Sequence, residues 1–140
     1  MKKVFAVFAL GSFVAACGGS DGGDPSLGTV SITSPADGST INGPNVTVQV
    51  SVSGFEIRPA AEGIVPGTGH HHFYLDTDLT PADQPVPTIP PNVIHKGDAT
   101  SEHTFENVAP GEHRIIAVVA DGIHVPLQPW VVDTVTFTVR

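Results

Sequence analysis

The sequence predicts an all-β fold, an immunoglobulin/fibronectin-like sandwich of two antiparallel sheets. Short segments alternate apolar and polar side chains, which is the two-residue period of a half-buried strand. Turn-forming residues separate these segments, and the chain contains 15 Gly and 13 Pro. No segment of useful length carries apolar residues at the spacing of an amphipathic helix. After residue 28, where a predicted export signal and a flexible tether end, roughly 110 residues remain, which is the usual size of such a sandwich.

The same alternation predicts the strands one by one. The clearest covers residues 45–52, where valine occupies every second position and polar residues lie between. Residues 77–91 are rich in proline, which cannot donate a ladder hydrogen bond, so this segment is predicted to be a surface loop. The predicted strands cover, in chain order, residues 30–33, 45–52, 70–75, 93–95, 103–108, 113–120 and 133–140.

The first 17 residues have the features of an export signal. Lys2 and Lys3 precede an apolar run at residues 4–14 that is too short to span a bilayer as a mature helix. The run ends in VAAC, which resembles the lipobox of bacterial lipoproteins, with Cys17 as the lipidated residue. The alternative is an ordinary signal peptide with an incidental cysteine.

These features predict three parts of the chain. Residues 1–17 form a lipoprotein signal peptide, 18–28 a flexible tether rich in Gly, Ser and Asp, and 29–140 the β-sandwich domain. We expect an exported protein held to the cell envelope by acyl chains on Cys17. Gly18 stands where inner-membrane lipoproteins usually carry aspartate, so the outer membrane, at its periplasmic or surface face, is favoured over the inner membrane.

Charge and cysteine content exclude several classes of function. Cleavage removes two of the six Lys and Arg, leaving four (6 − 2) against 14 Asp and Glu, or −10 with neutral histidines. Nucleic acid and anionic lipid headgroups both require a basic surface, so neither is an expected partner. With the only cysteine lipidated and Met1 removed, a metal site has to use histidine or carboxylate ligands.

Seven histidines in a chain with six Lys and Arg form its most informative feature. His70 and His72 are two apart on a predicted strand, so they share one face with Tyr74, while His71 points to the core. A His-x-His pair on a strand is a common chelating arrangement. Antiparallel pairing of strands 70–75 and 113–120 would bring the segment after residue 120 to the same end of the sheet.

A metal site is therefore predicted at that end of the sheet. The expected ligands are His70, His72 and His124, with His95 as a fourth ligand or a gate. Imidazole ligands without thiols suit copper or zinc. The residues expected to support the ligands are Asp121, which would orient an imidazole, and His71 and Tyr74. The alternatives are an imidazole hydrogen-bond network that orders the loops, and a pH-sensing or ligand pocket.

The remaining histidines are expected to be structural. His71 caps the core with its ring hydrogen-bonded, and His113 is a corner residue bonded to the backbone. His103 is expected at the surface beside Glu102 and Glu106.

From Gly67 onward the residues GTGHHHFYLDTD, IHKGDATSEHTFENVAPGEHRIIAVVADGIHVPLQP and VTFTV form an ordered set of motifs. They resemble the bacterial domain-of-unknown-function 4399 family, with its G-x-GHHH, I-H-x-G, PG-x-H and H-x-P elements. The resemblance implies a small exported β-domain and no particular activity. Leu127-Gln128 replaces the second histidine that members often carry after H-x-P. The family-motif positions are Gly69, His70, His71, His72, His95, His113, His124 and Pro126.

Three functions remain open on this basis. The first is a non-catalytic envelope lipoprotein that binds, buffers or delivers copper or zinc. The second is an adhesion or assembly module with structural histidines, and the third is a small copper or zinc redox enzyme. No nucleophile–base motif or Gly-rich phosphate loop is found in the sequence, so enzyme function is not expected.

Overall fold

Two β-sheets pack face to face in the computed structural model, which describes residues 28–140. The strands, in chain order, are β1 (Thr29–Ser34), β2 (Ser39–Ile41), β3 (Val46–Ser53), β4 (Glu56–Ile57), β5 (Thr68–Leu75), β6 (Val93–Lys96), β7 (Glu102–Phe105), β8 (Gly111–Ala120) and β9 (Val132–Val139). One sheet has the order β1-β3-β7, and the other has the order β2-β9-β8-β5-β4, with β6 also paired to β5. The predicted all-β, immunoglobulin/fibronectin-like sandwich is confirmed.

Each of the seven predicted strands has a counterpart, with ends that differ by a few residues. The largest difference is at β7, which ends at Phe105 because the chain then turns away and the Val108 amide donates to the Pro44 carbonyl. Two short strands, β2 and β4, were not predicted, and both pair in parallel with their neighbours. A single turn of 3₁₀ helix spans Ala60–Glu62.

The main core lies between the two sheets and follows the predicted alternation. Along β3, Val46, Val48 and Val50 are buried while Thr47 and Gln49 are exposed. Burying one apolar face against the other sheet is what stabilises a two-layer sandwich.

A second apolar cluster covers the outer face of the six-stranded sheet. Tyr74 of β5 and Val118 of β8 pack there against Val93 and against Val86 from the proline-rich loop. Residues 69–75 of β5 and 115–120 of β8 are consequently buried on both faces. The proline-rich segment is thus a loop, as predicted, but one that packs on the sheet.

Within residues 28–140, no helix is long and apolar enough to cross a membrane. The predicted signal peptide, the lipidation site at Cys17 and nearly all of the predicted tether lie outside the described residues.

Candidate metal centre

The first two histidines of the site lie at the beginning of β5, in the middle of the larger sheet. His70 pairs with Ala120 and His72 with Val118 in the antiparallel register between β5 and β8. Both side chains point to the outer face, on the same side as Tyr74, because side chains two apart share a face. They are 1% and 0% exposed. A central strand held on both edges fixes their backbone.

The other two histidines come from a strand and a loop on either side of β5. His95 lies on the edge strand β6, directly opposite His72 in the register. His124 lies in the turn after β8 with a φ of 70°, and its amide donates to the Asp121 carbonyl. The His124 carbonyl accepts from the Val86 amide of the proline-rich loop at 2.9 Å. Both rings are half-buried.

The four imidazoles converge on one point. One ring nitrogen from each of His70, His72, His95 and His124 lies within 4.8 Å of the others. Nε2 of His70 lies 2.9 Å from Nε2 of His72 and 3.0 Å from Nδ1 of His124. The ring of His95 is stacked on that of His72, with centroids 5.1 Å apart, and lies edge-on to His124 at 4.6 Å. We call these four residues the histidine cluster.

Burial favours the neutral form of three of the four rings in the histidine cluster. Burial, followed by the charges of the neighbouring imidazoles, lowers the pKa of His70 to about 4 and that of His72 to about 2. Burial also lowers the pKa of His95. A neutral imidazole keeps one nitrogen lone pair, which is the form that binds a metal ion.

The cluster has the composition and size of a metal centre. Zinc and copper bind imidazole nitrogens at about 2.0–2.1 Å, so ligand atoms of one ion lie roughly 3 Å apart. Two nitrogen–nitrogen distances in the cluster, 2.9 and 3.0 Å, are close to this value. Within residues 28–140, buried ring nitrogens of His72 and His95 have no hydrogen-bond partner. The donor set therefore fits a first-row ion.

The three residues predicted to support the ligands lie close to them in the chain, but Asp121 and Tyr74 hydrogen-bond other groups and His71 points away from the cluster. Oδ1 of Asp121 accepts from the amides of Ile123 and Val125, so this carboxylate holds the backbone on both sides of residue 124. The Tyr74 hydroxyl bonds Thr80 Oγ1 at 2.9 Å. His71 points into the core as predicted, where its ring stacks on Phe73.

The expected hydrogen bonding of His71 was wrong for the described part of the chain. Neither ring nitrogen of His71 has a hydrogen-bond partner among residues 28–140. Its ring is fully buried among apolar side chains, and burial lowers its pKa to about 4. His71 is thus a neutral core residue on the opposite face of β5 from the histidine cluster.

His113 and His103 lie outside the cluster. Nε2 of His113 bonds the Ala109 carbonyl at 2.7 Å, as predicted, and Nδ1 bonds Asp76 at 2.7 Å, a contact that the sequence did not reveal. His103 was expected at the surface, and its ring is half-buried there, edge-on to Phe105 at 4.9 Å.

One residue beside the cluster was missed. Gly97 packs directly against the ring of His95. The available signal was the glycine of the I-H-x-G element, which was recognised as a motif without a physical role.

Comparisons by sequence identify one family. A sequence model of the family described as "Domain of unknown function (DUF4399)" matches residues 48–140, which include all four histidines of the cluster. No match is found among curated proteins.

Comparisons by structure return two much longer chains and one of similar length. The endo-beta-1,4-mannanase from Thermotoga petrophila is 16% identical and aligns over 86% of this chain with a TM-score of 0.48. An engineered protein is 15% identical and aligns over 83% with a TM-score of 0.46. This chain spans 21% of each of those two chains. The fibronectin(III)-like modules of Clostridium thermocellum CbhA are 16% identical and align over 80% of this chain and 97% of theirs, with a TM-score of 0.46.

Proposed function

Since this chain belongs to the DUF4399 family, whose description names no activity, we propose a function from the site itself. The domain binds one copper or zinc ion through His70, His72, His95 and His124. The observation that carries this proposal is the convergence of four imidazole nitrogens within 4.8 Å on the covered face of a rigid sheet.

The electrostatics of the cluster favour an ion over a purely structural role. Burying polar rings away from water lowers stability unless their nitrogens find partners. Among residues 28–140, the buried Nε2 atom of His95 has none, whereas the unpaired nitrogen of His72 is Nδ1 and its Nε2 atom is the one that contacts His70. A bound cation would use the lone pairs that neutral rings supply, and its free energy of binding would stabilise the fold.

The same geometry favours binding without turnover. Catalytic zinc sites hold the metal with three protein ligands and keep one position for water or substrate, whereas structural sites have four protein ligands. Four histidines can complete a tetrahedral shell. Buffering or delivery of the ion is the role that fits, and the half-buried His95 and His124 provide the side from which an ion enters.

The proposal includes a location in the cell envelope. Support comes from the sequence: a basic start, a short apolar run and VAAC at residues 14–17. Acyl chains on Cys17 would hold the domain at the outer membrane through the tether of residues 18–28. Replacing Cys17 with serine should move the protein from the membrane fraction to the soluble envelope fraction, and a membrane-bound variant would contradict the anchor.

Metal analysis of protein purified without a nickel column tests the ion-binding proposal. We expect one equivalent of copper or zinc per chain, and its loss in the double variant His70→Ala/His72→Ala. The matched control is His103→Ala, which removes a half-buried histidine outside the cluster and should keep full stoichiometry. Absence of binding at micromolar Cu²⁺ and Zn²⁺ would contradict the proposal.

One observation favours the second candidate, a structural or assembly module. The contacts of His70 with His72 and His124 already link β5 to the loop after β8 without an ion. If the protein binds no metal and His70→Ala destabilises it, the cluster acts as a hydrogen-bonded brace.

A further inference from the structure

Gly97 lies directly after the strand that carries His95, and the imidazole ring of His95 packs over it. A Cβ atom built on Gly97 would lie 2.6 Å from Cε1 and 2.7 Å from Nε2 of His95. Carbon atoms in packed proteins approach to about 3.5 Å at the closest favourable distance. Any side chain at position 97 therefore occupies space that the ring of His95 now fills.

This glycine is not required by its backbone conformation. Gly67 and Gly43 adopt positive φ angles of 76° and 102° and have open space where a Cβ would lie. Gly97 shows the opposite combination: its φ is outside the left-handed region, and its space is filled. Alanine could adopt the backbone conformation at 97 without strain, so only the His95 ring opposes it.

The backbone on either side of Gly97 is held in place. Lys96 pairs with His71 in the β5–β6 register, and its ammonium group bonds Asp98 at 3.2 Å. Oδ1 of Asp98 accepts from the amide and the hydroxyl of Thr100 at 3.1 and 2.8 Å. A methyl group at position 97 would therefore displace the ring of His95 more readily than the main chain.

The ring of His95 has few other restraints. Among residues 28–140, its buried Nε2 atom has no hydrogen-bond partner. Its orientation comes from packing between Gly97 on one side and the rings of His70, His72 and His124 on the other. The rings of His70, His72 and His124, in contrast, are joined by contacts of 2.9 and 3.0 Å.

We infer that Gly97 is a positioning residue, which seats the imidazole of His95 in the histidine cluster as the fourth ligand of the metal ion. The inference rests on the proposed function, because it concerns the ligand set of that site. The glycine of the I-H-x-G element then has a physical role: it leaves room for the histidine two residues before it.

The test compares Gly97→Ala, His95→Ala and the double variant with the full wild-type chain. Cu²⁺ affinity is measured by competition with a chelator, and the nitrogen ligands are counted from the hyperfine structure of the Cu²⁺ electron paramagnetic resonance spectrum. We expect Gly97→Ala to lower the affinity about 10–100-fold, the range seen when residues that orient a ligand are lost. His95→Ala should have a similar or larger effect, and the double variant should equal His95→Ala.

The spectrum separates ligand positioning from a general loss of stability. Loss of one nitrogen ligand in Gly97→Ala, with the spectrum of His95→Ala, supports the inference. A wild-type spectrum and affinity in Gly97→Ala overturn it while leaving the proposed function intact. Absence of Cu²⁺ and Zn²⁺ binding by the wild-type protein overturns both.

The metal-free proteins give an independent readout if Gly97→Ala folds poorly. Removing the His95 ring gives the new methyl group its space, so His95→Ala should restore the stability that Gly97→Ala loses. Recovery in urea denaturation supports the contact between residues 95 and 97. A double variant as unstable as Gly97→Ala overturns the inference, because the effect would then not pass through His95.

Discussion

Two histidine environments lie at opposite ends of strand β8, and they have opposite chemistry. Near Ala120, the rings of the histidine cluster face one another, and burial lowers the pKa of His70 to about 4. At the other end, His113 bonds the Asp76 carboxylate and the Ala109 carbonyl. Burial opposes the charged form of His113, but these hydrogen bonds and the charge of Asp76 outweigh it, so the pKa is raised.

The difference shows that the partners of an imidazole decide its role. Both ring nitrogens of His113 face oxygen acceptors, which favours the protonated ring, and a protonated ring has no lone pair for a metal. In the cluster, burial instead favours the neutral forms of His70, His72 and His95, which keep a lone pair. Counting histidines in a sequence does not separate these cases, whereas burial of the ring and a carboxylate hydrogen-bonded to it do.

The largest expected effect is loss of stability of the metal-free protein in acid. His70 and His71 bind fewer protons folded than unfolded, so their contribution is full above pH 6.5 and is lost as the pH falls towards about 4. Each shift, from 6.5 to about 4, corresponds to about 3 kcal/mol. Urea denaturation across this pH range should show a fall of several kcal/mol. A flat profile would contradict the neutral, buried state of these rings.

A smaller effect is expected from His71→Leu. This variant removes a buried imidazole that lies outside the histidine cluster, so it tests the cost of burying the ring without changing a proposed ligand. Both ring nitrogens of His71 are buried without partners within residues 28–140. Replacing an unpaired buried polar ring with an apolar side chain should raise the free energy of unfolding by about 1–2 kcal/mol at neutral pH. Metal stoichiometry should not change, since His71 lies on the other face of β5. A variant that no longer binds metal would show that His71 belongs to the centre.

The smallest effect is expected at the His113 end of β8, where the pH dependence of stability has the opposite sign. A raised pKa means that this pair stabilises the fold below pH 6.5 and that the contribution is lost as the pH rises through the folded pKa. Asp76→Asn should lower the free energy of unfolding by about 1 kcal/mol at pH 6, because the charge-assisted bond becomes neutral. The fall in stability with rising pH should also become smaller in this variant. Metal affinity serves as the control and should remain that of the wild type. If the fall in stability with rising pH were the same in Asp76→Asn and the wild type, it would have to come from other titratable groups.

The sequence was sufficient to predict the strands that bury only one face. In β3 every second residue is a valine facing the core, and this pattern is independent of the rest of the fold. The strands β2 and β4 have three and two residues, too few for a period, and they form only because β9 and β5 offer an edge. Burial of both faces of β5 depends on a distant loop, so it has no local signal.

The site was predictable where it depended on strand geometry. The spacing of His70 and His72 and the antiparallel pairing of β5 with β8 bring His124 to the same place. The pairing of His72 with His95 follows from the register of an edge strand after a long loop, which local pattern does not determine. The hydrogen bonds of Asp121 and Tyr74 depend on loop conformations, which are set by backbone amides and by Thr80.

The apolar cover on the six-stranded sheet limits how this domain can combine with others. Val86 and Leu79 of the proline-rich loop occupy the outer face where a neighbouring domain would otherwise pack. The opposite outer surface, on the three-stranded sheet, presents Thr47, Gln49 and Ser51 to solvent. The sheet surfaces around β5 and β3 are thus either covered by a loop of the same chain or polar, so neither extends the hydrophobic core towards a second domain.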